Sequence, residues 1–241
     1  IHAFGINETI SPMLIAKLAH EIEVIEQNTS GGKMDQYTIS LGNRIYMDTK
    51  TDAITTFTNK LNGMVVGDSG EGKDTLGTLA HLKHDAWKAI NQVKAKHPDF
   101  EISTMAISEI DRFMDLVSLD LQPVFEAAVL NYNITKNAEE AFLETNLDYK
   151  YIGVLMNQHH QLLKENLLIT TPKIDAMIDA AIKAGAYGAK IVGSGKGGCI
   201  AALASKDKEM EVIVAIKNAG AKDAFIVTES DGAQICQKSN E

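Results

Sequence analysis

The sequence predicts an α+β protein of two domains, with helices and sheet packed in two layers. Short β-rich runs stand near the start and again at the end of the chain, and a long helical block lies between them. The 241 residues, 45% of them hydrophobic, suffice for one large core or two modest ones. The order of elements reads helix, sheet, helical block, then β, β, α, β, β, with a boundary near residue 80 that divides 1–80 from 81–241.

Each element has a local cause. "ETISPMLIAKLAHEIEVIEQ" starts at Ser11-Pro12 and places Leu14, Leu18, Ile22 and Ile25 at helical spacing, which predicts a helix over about 12–27. The polar loop "NTSGGK" follows. "RIYMD", "AITTF" and "GMVVGDS" are β-rich and set apart by Asp, Asn and Gly, so they read as strands. Helical patterns then run from about 75 to 185: "TLAHLKHDAWKAINQVKAK", "AISEIDRFMDLV", "LQPVFEAAVLNYNITKNAEEAFLE", "YKYIGVLMNQHHQLLKENL" and "PKIDAMIDAAIKAG". "AKIVGS", "CIAALAS", "DAFIVTE" and "AQICQ" are expected strands, and "DKEMEVIVAIKNAG" a helix between the second and third. The opening Ile1-His2-Ala3-Phe4-Gly5 reads as the last turn of a helix ending at a glycine, so a preceding segment is expected.

Composition narrows the function. With 32 acidic and 23 basic residues the net charge is −9, and no Lys/Arg cluster stands out, which argues against nucleic acid but leaves room for a small anionic ligand. Cys199 and Cys236 are far apart and lack metal spacing, which suits a reduced intracellular protein; the sequons at Asn7, Asn28 and Asn133 are then chance. No apolar run reaches the roughly 18 residues of a membrane span and no basic-then-apolar leader is present. A cytoplasmic protein without membrane contact is expected, and its oligomeric state is not legible.

Two glycine runs invite a nucleotide reading. Gly193, Gly195 and Gly198 satisfy G-x-G-x-x-G, yet that fingerprint needs a helix after the loop, whereas "CIAALAS" reads as a strand and no ribose-binding acid follows about 20 positions on. Gly67, Gly72 and Lys73 in "VVGDSGEGKDT" fit G-x-x-x-x-G-K. There Asp74 replaces the expected Ser or Thr and Glu71 would face phosphates, so a tight turn into a helix capped by Asp74 is preferred.

Phosphoryl transfer asks for phosphate donors, a metal ligand and a group that takes the acceptor's proton. Glu23 and Asp35 stand twelve positions apart in "EVIEQNTSGGKMDQY", and Gly31-Gly32 could bend the second carboxylate back toward the first. Spacing alone favours the plainer reading, with Glu23 one of several exposed acids on an amphipathic helix and Asp35 the cap of the next helix. His159-His160 lacks a matching ligand set for zinc and reads as helix surface or a packing position. Trp87, with Ala86 and Ile90 nearby, is expected in the core.

"GGKMDQY" resembles the "CGIMDQ" segment of galactokinases. "LMNQHHQLLKENLLITTPKIDAMIDAAIKAGAYGAKIVGSGKGGCIAAL" resembles the C-terminal signature of the GHMP kinase superfamily, and "NYNITKNAEEAF" and "VVGDSGEGKDTLGTL" resemble the galactokinase segments before it. The likeness covers nearly the whole chain in the right order. It implies a two-domain GHMP kinase-like architecture: the remainder of a ribosomal-protein-S5-like N-terminal domain over 1–80 and a ferredoxin-like α+β C-terminal domain over 81–241. It implies ATP-dependent transfer to a sugar hydroxyl, with Asp35 as catalytic base, Glu23 on Mg²⁺, and Gly193, Ser194, Gly195, Lys196, Gly197 and Gly198 against the nucleotide. Mevalonate-kinase-like members have a spacing one residue shorter, which tilts the resemblance toward sugar kinases. The superfamily's main phosphate loop is expected upstream of Ile1, so the chain is expected to be a piece of a longer enzyme, unable to turn over ATP alone.

Two departures bear on the acceptor. "GKGGC" stands where galactokinases usually have "GFGGC", and "AHLKHDAWKAI" stands where "YN.RR..C" is expected. Both count against galactose itself. Lys196 either meets a second phosphate or carboxylate on the substrate or is a solvated loop lysine. Three alternatives stay open: a non-catalytic ATP/sugar-binding sensor of galactokinase descent, a mevalonate- or heptose-phosphate-type kinase and, on the glycine fingerprint alone, a dinucleotide-binding domain.

Overall fold

The computed structural model describes residues 10–29, 31–73 and 75–234. The helix end read at residues 1–5, the helix cap Asp74, Cys236 and most of the last expected strand lie outside the described residues. Helix α1 (Pro12–His20) begins at Ser11, whose side chain accepts the Leu14 N–H, with Pro12 in the first turn where no amide is needed. It continues as a π-helical stretch, Glu21–Glu26, so the expected helix over 12–27 is present with a changed pitch. Its apolar stripe is not its packed face. Leu14, Leu18, Ile22 and Ile25 stay 41–59% exposed, while Ala16 packs with Tyr37 of α2 (Met34–Leu41) and Met47 of β1 (Ile45–Met47). Strand β2 (Ile54–Thr56) pairs antiparallel with β1. The chain's end returns to this unit: Asn43 N–H donates to Ser230 O at 2.7 Å, and Arg44 pairs with Glu229.

The remaining elements are β3 (Met64–Asp68), α3 (Thr75–Lys94), α4 (Ile110–Met114), α5 (Gln122–Leu143), α6 (Tyr149–Glu165), α7 (Pro172–Lys183), β4 (Gly188–Ile191), β5 (Cys199–Leu203), α8 (Glu209–Asn218) and β6 (Asp223–Val227). Four strands form one sheet in the order β4-β5-β3-β6, every neighbouring pair antiparallel. With α3 to α6 set aside, β3-α7-β4-β5-α8-β6 is the βαββαβ arrangement of ferredoxin-like folds. Val65, Ile200 and Ala202 pack against Ile174 and Met177 of α7 and Ile216 of α8, all at most 1% exposed. Two compact units result, Ile1–Lys60 with Glu229–Glu241, and Leu61–Thr228. They part at residue 60 rather than near 80 because β3 pairs Val65 with Ala202 of β5 and with Ile226 of β6.

The helical block has its own core, in which Val93, Phe100, Phe113 and Phe125 meet. Trp87, expected there, is 54% exposed. Ala89 and Val93 set the inward face of α3, and a residue two positions before Ala89 stands about 200° around the helix from it. Among the described residues no helix is long and apolar enough to cross a membrane.

Strand β4 is an edge of the sheet, and α6 closes it. Asn157 accepts the Ala189 N–H at 2.9 Å and donates to Tyr187 O at 3.3 Å, so a side chain completes the edge pairing. His160, about one turn further along the same helix, is 6% exposed with Nε2 3.5 Å from Asp175 Oδ1; the histidine pair occupies packing positions. Burial, seconded by the charge of Lys190, pushes His159 down to about 4. Burial also lowers Lys190, whose Nζ donates to Ile191 O at 2.9 Å.

A pH dependence follows with a definite sign. His159 is neutral in the fold below its ordinary value of 6.5, whereas the unfolded chain takes up a proton there. Stability is therefore lost as pH falls from 6.5 to about 4 and levels off below. Urea unfolding at pH 7 and pH 4.5 should show His159→Gln losing less stability on acidification than the parent, by about 2 kcal/mol. Equal losses in both proteins would contradict this assignment.

Candidate functional site

The chemistry-bearing residues divide between the two units. In the smaller unit, Glu23 sits on the π-helical stretch, which ends in a left-handed turn at Asn28 (φ 49°). Asn28 N–H donates to Ile25 O at 3.1 Å and Thr29 N–H to Val24 O at 3.0 Å, the pairing of a Schellman cap. The reversal expected at Gly31-Gly32 is thus made by Asn28, because asparagine tolerates the left-handed region. Gly31 serves a close approach instead, since a Cβ there would lie 3.2 Å from Val24 Cγ2.

The chain then enters α2 with Lys33, paired with Asp52, at the N-cap. Asp35 is the second residue of the helix and not its cap. It is exposed and has no hydrogen bond or ion pair among the described residues. The next residue, Gln36, is buried and donates Nε2–H to Glu23 Oε2 at 2.8 Å. The bond ties Glu23 to the residue that follows Asp35, not to Asp35 itself. Among the described residues no cluster of three or more acids, histidines or cysteines could hold a metal alone. Mg²⁺ entering with phosphates needs only one or two carboxylates from the protein, which Glu23 can supply.

In the larger unit, the loop between β4 and β5 holds Gly193, Ser194, Gly195, Lys196, Gly197 and Gly198. Residues 193, 195, 196, 197 and 198 have φ of 76°, 81°, 53°, 124° and 76°, a run that only glycine adopts freely and that Lys196 joins. Lys196 N–H donates to Ile169 O at 2.6 Å and Gly198 N–H to Glu71 O at 3.0 Å, while Gly198 O accepts from Ser69 N–H. The Lys196 side chain is exposed. A strand leaves the loop, so the helix N-terminus of a dinucleotide site is missing from this place.

The second glycine run folds as a tight turn. Asp68 Oδ1 accepts the Gly70 N–H at 2.8 Å and Ser69 Oγ the Glu71 N–H at 3.1 Å. Glu71 is tied down by Thr171, whose Oγ1 donates to Oε2 at 2.6 Å. Lys73 then reaches across to the first loop, and its Nζ donates to Val192 O at 3.0 Å over a separation of 119 residues. A Cβ at Gly198 would lie 1.8 Å from Lys73 Cε, so only glycine leaves this lysine its path. The two runs that failed separately as nucleotide motifs meet, with the Lys73 ammonium on the backbone of the first loop. From sequence, Lys73 belongs to a run set aside as a tight turn; its place beside the other glycine loop depends on a contact 119 residues away.

The sheet and its helices have the fold of the GHMP kinases, and residues 138–222 match the family described as GHMP kinases C terminal. A mevalonate kinase of Thermococcus sibiricus is 26% identical over 232 residues, 96% of this chain and 59% of that protein. A galactokinase of Actinobacillus succinogenes is 28% identical over 174 residues, 65% of this chain and 45% of its own. The crystal structure of Lactococcus lactis galactokinase complexed with galactose superposes with a TM-score of 0.81 at 22% identity, covering 95% of this chain and 61% of the other. The chain thus spans about three fifths of these proteins' length or less.

Proposed function

We propose that the full-length protein transfers the γ-phosphoryl group of ATP to a hydroxyl of a small molecule, and that this acceptor is a sugar. The observation that carries the reading is the Gln36–Glu23 hydrogen bond, which ties a prospective metal carboxylate to the segment bearing an unpaired carboxylate, Asp35. Asp35 takes or orients the proton of the attacking hydroxyl. Glu23 would hold Mg²⁺, which neutralises charge on the phosphoryl group when bound. The loop of Gly193, Ser194, Gly195, Lys196, Gly197 and Gly198 lies against the phosphates, its shape held by the Lys196 and Gly198 amides bonded to Ile169 O and Glu71 O, and Lys73 adds a positive charge beside it. The half-buried free thiol of Cys199 agrees with a cytoplasmic location.

A mevalonate-type acceptor is the second reading. It is favoured by the span of the likeness, since the Thermococcus sibiricus mevalonate kinase matches 96% of the chain. Acceptor-dependent ADP release by the full-length protein, with galactose, other aldoses, a heptose phosphate and mevalonate as acceptors, separates the two. Turnover with a sugar supports the first reading and turnover with mevalonate alone the second. Binding of MgATP and sugar without ADP release would make the protein a sensor and overturn both.

Lys73 has its own test. Lys73→Met should lower kcat/KM for ATP by about 10²-fold and leave the acceptor KM within a few-fold, because the lost charge faces phosphates. A change confined to the acceptor KM would place Lys73 elsewhere in the reaction.

A further inference from the structure

Gln36 uses only half of its amide inside the fold. A carboxylate accepts and never donates, so the contact with Glu23 Oε2 fixes which end of the amide is nitrogen and turns the oxygen away. That oxygen, Oε1, is buried and has no hydrogen-bond partner among the described residues, and the residue as a whole is 8% exposed. An unpaired buried carbonyl is destabilising. Methionine or leucine would fill the same buried space without that defect. An amide kept at such a place is accounted for by a donor that arrives from outside.

The chemistry nearby defines that donor. Mg²⁺ sheds its waters reluctantly and is held through one or two carboxylates with several waters retained. A water bound through its lone pair to the cation can only donate, so each needs an acceptor, and a carbonyl oxygen beside the metal carboxylate is such an acceptor. We infer that Gln36 is the positioning residue of the Mg²⁺ site: its Nε2 orients the Glu23 carboxylate and its Oε1 accepts a hydrogen bond from a water of the cation's shell. This rests on the reading of Glu23 as the metal carboxylate.

Gln36→Met, in the full-length protein, removes both functions at nearly constant volume. Mn²⁺ affinity, read by electron paramagnetic resonance in the presence of ATP, should fall about tenfold, and half-saturating Mg²⁺ in turnover should rise by a similar factor. The acceptor KM should stay within about twofold, and Tm should be unchanged or raised, since a buried unpaired carbonyl is removed. Glu23→Gln provides the second arm. If Glu23→Gln weakens Mn²⁺ and Gln36→Met does not, the inference about Gln36 falls while Glu23 keeps its role. If neither variant weakens Mn²⁺, the reading of Glu23 falls with it. A lowered Tm at unchanged Mn²⁺ affinity assigns Gln36 a purely structural role, and a raised acceptor KM at unchanged Mn²⁺ affinity assigns Oε1 to the acceptor; either result overturns the inference.

Discussion

Replacing Asp35 by asparagine in the full-length protein is expected to lower kcat by about 10³-fold, with KM for ATP within a few-fold of the parent. Asparagine keeps the size and the helical position of the side chain and removes only its capacity to take a proton. The fold gives it no other employment: the helix cap is Lys33, and the Asp35 carboxylate has no partner among the described residues. Stability should therefore change by less than about 0.5 kcal/mol, as for surface substitutions remote from caps and networks. A kinetic loss without a stability loss distinguishes a catalytic carboxylate from a structural one. Turnover within a few-fold of the parent would remove Asp35 from the reaction.

Gly153→Val is expected to destabilise the larger unit by about 3 kcal/mol or more. The Cβ alone would lie 2.4 Å from the Tyr187 carbonyl carbon and oxygen and 2.6 Å from Tyr187 Cβ, and backbone cannot step aside as a flexible side chain can. The facing position is equally tight, with a Cβ on Gly188 only 2.1 Å from Gly153 O. To admit the side chain, α6 must lift from β4, which also breaks both hydrogen bonds of Asn157 to the edge strand. The glycine loop follows β4 after Ile191, so phosphate binding should weaken with stability in this variant. Urea unfolding of Gly153→Val against Gly153→Ala gives the measure. A valine variant within 1 kcal/mol of the parent would mean that the helix does not dock this closely.

Much of this fold was legible because its signals are local. Ser11-Pro12 announces α1, the helical patterns from 75 to 185 return as α3 to α7, and the strand after the glycine loop is β5. What was hidden depends on contacts between distant segments. Strand β3 looks like a neighbour of β1 and β2, yet its partners lie more than 130 residues further on, so the boundary moved from about 80 to 60. The periodic residues of α1 reported helical pitch correctly and the packed face wrongly, since Ala16 and not Leu14 or Leu18 is buried.

The site divides in the same way. Glu23 and Asp35 were visible as a spaced pair, but the side chain that bonds Glu23 is Gln36, a residue with no chemical signature of its own. The glycine loop was visible as a motif. Its ammonium was not, because Lys73 belongs to a second motif that fails on its own terms and acquires meaning only where the chain brings it to Val192.

The central claim is that a phosphoryl group moves from ATP to an acceptor hydroxyl. ³¹P NMR of the full-length protein with MgATP and the acceptor panel tests it directly. A new phosphomonoester resonance, coupled to a proton of a sugar acceptor and growing in step with ADP, is expected. Inorganic phosphate as the sole new signal, or ATP unconsumed in the presence of every acceptor, would contradict it.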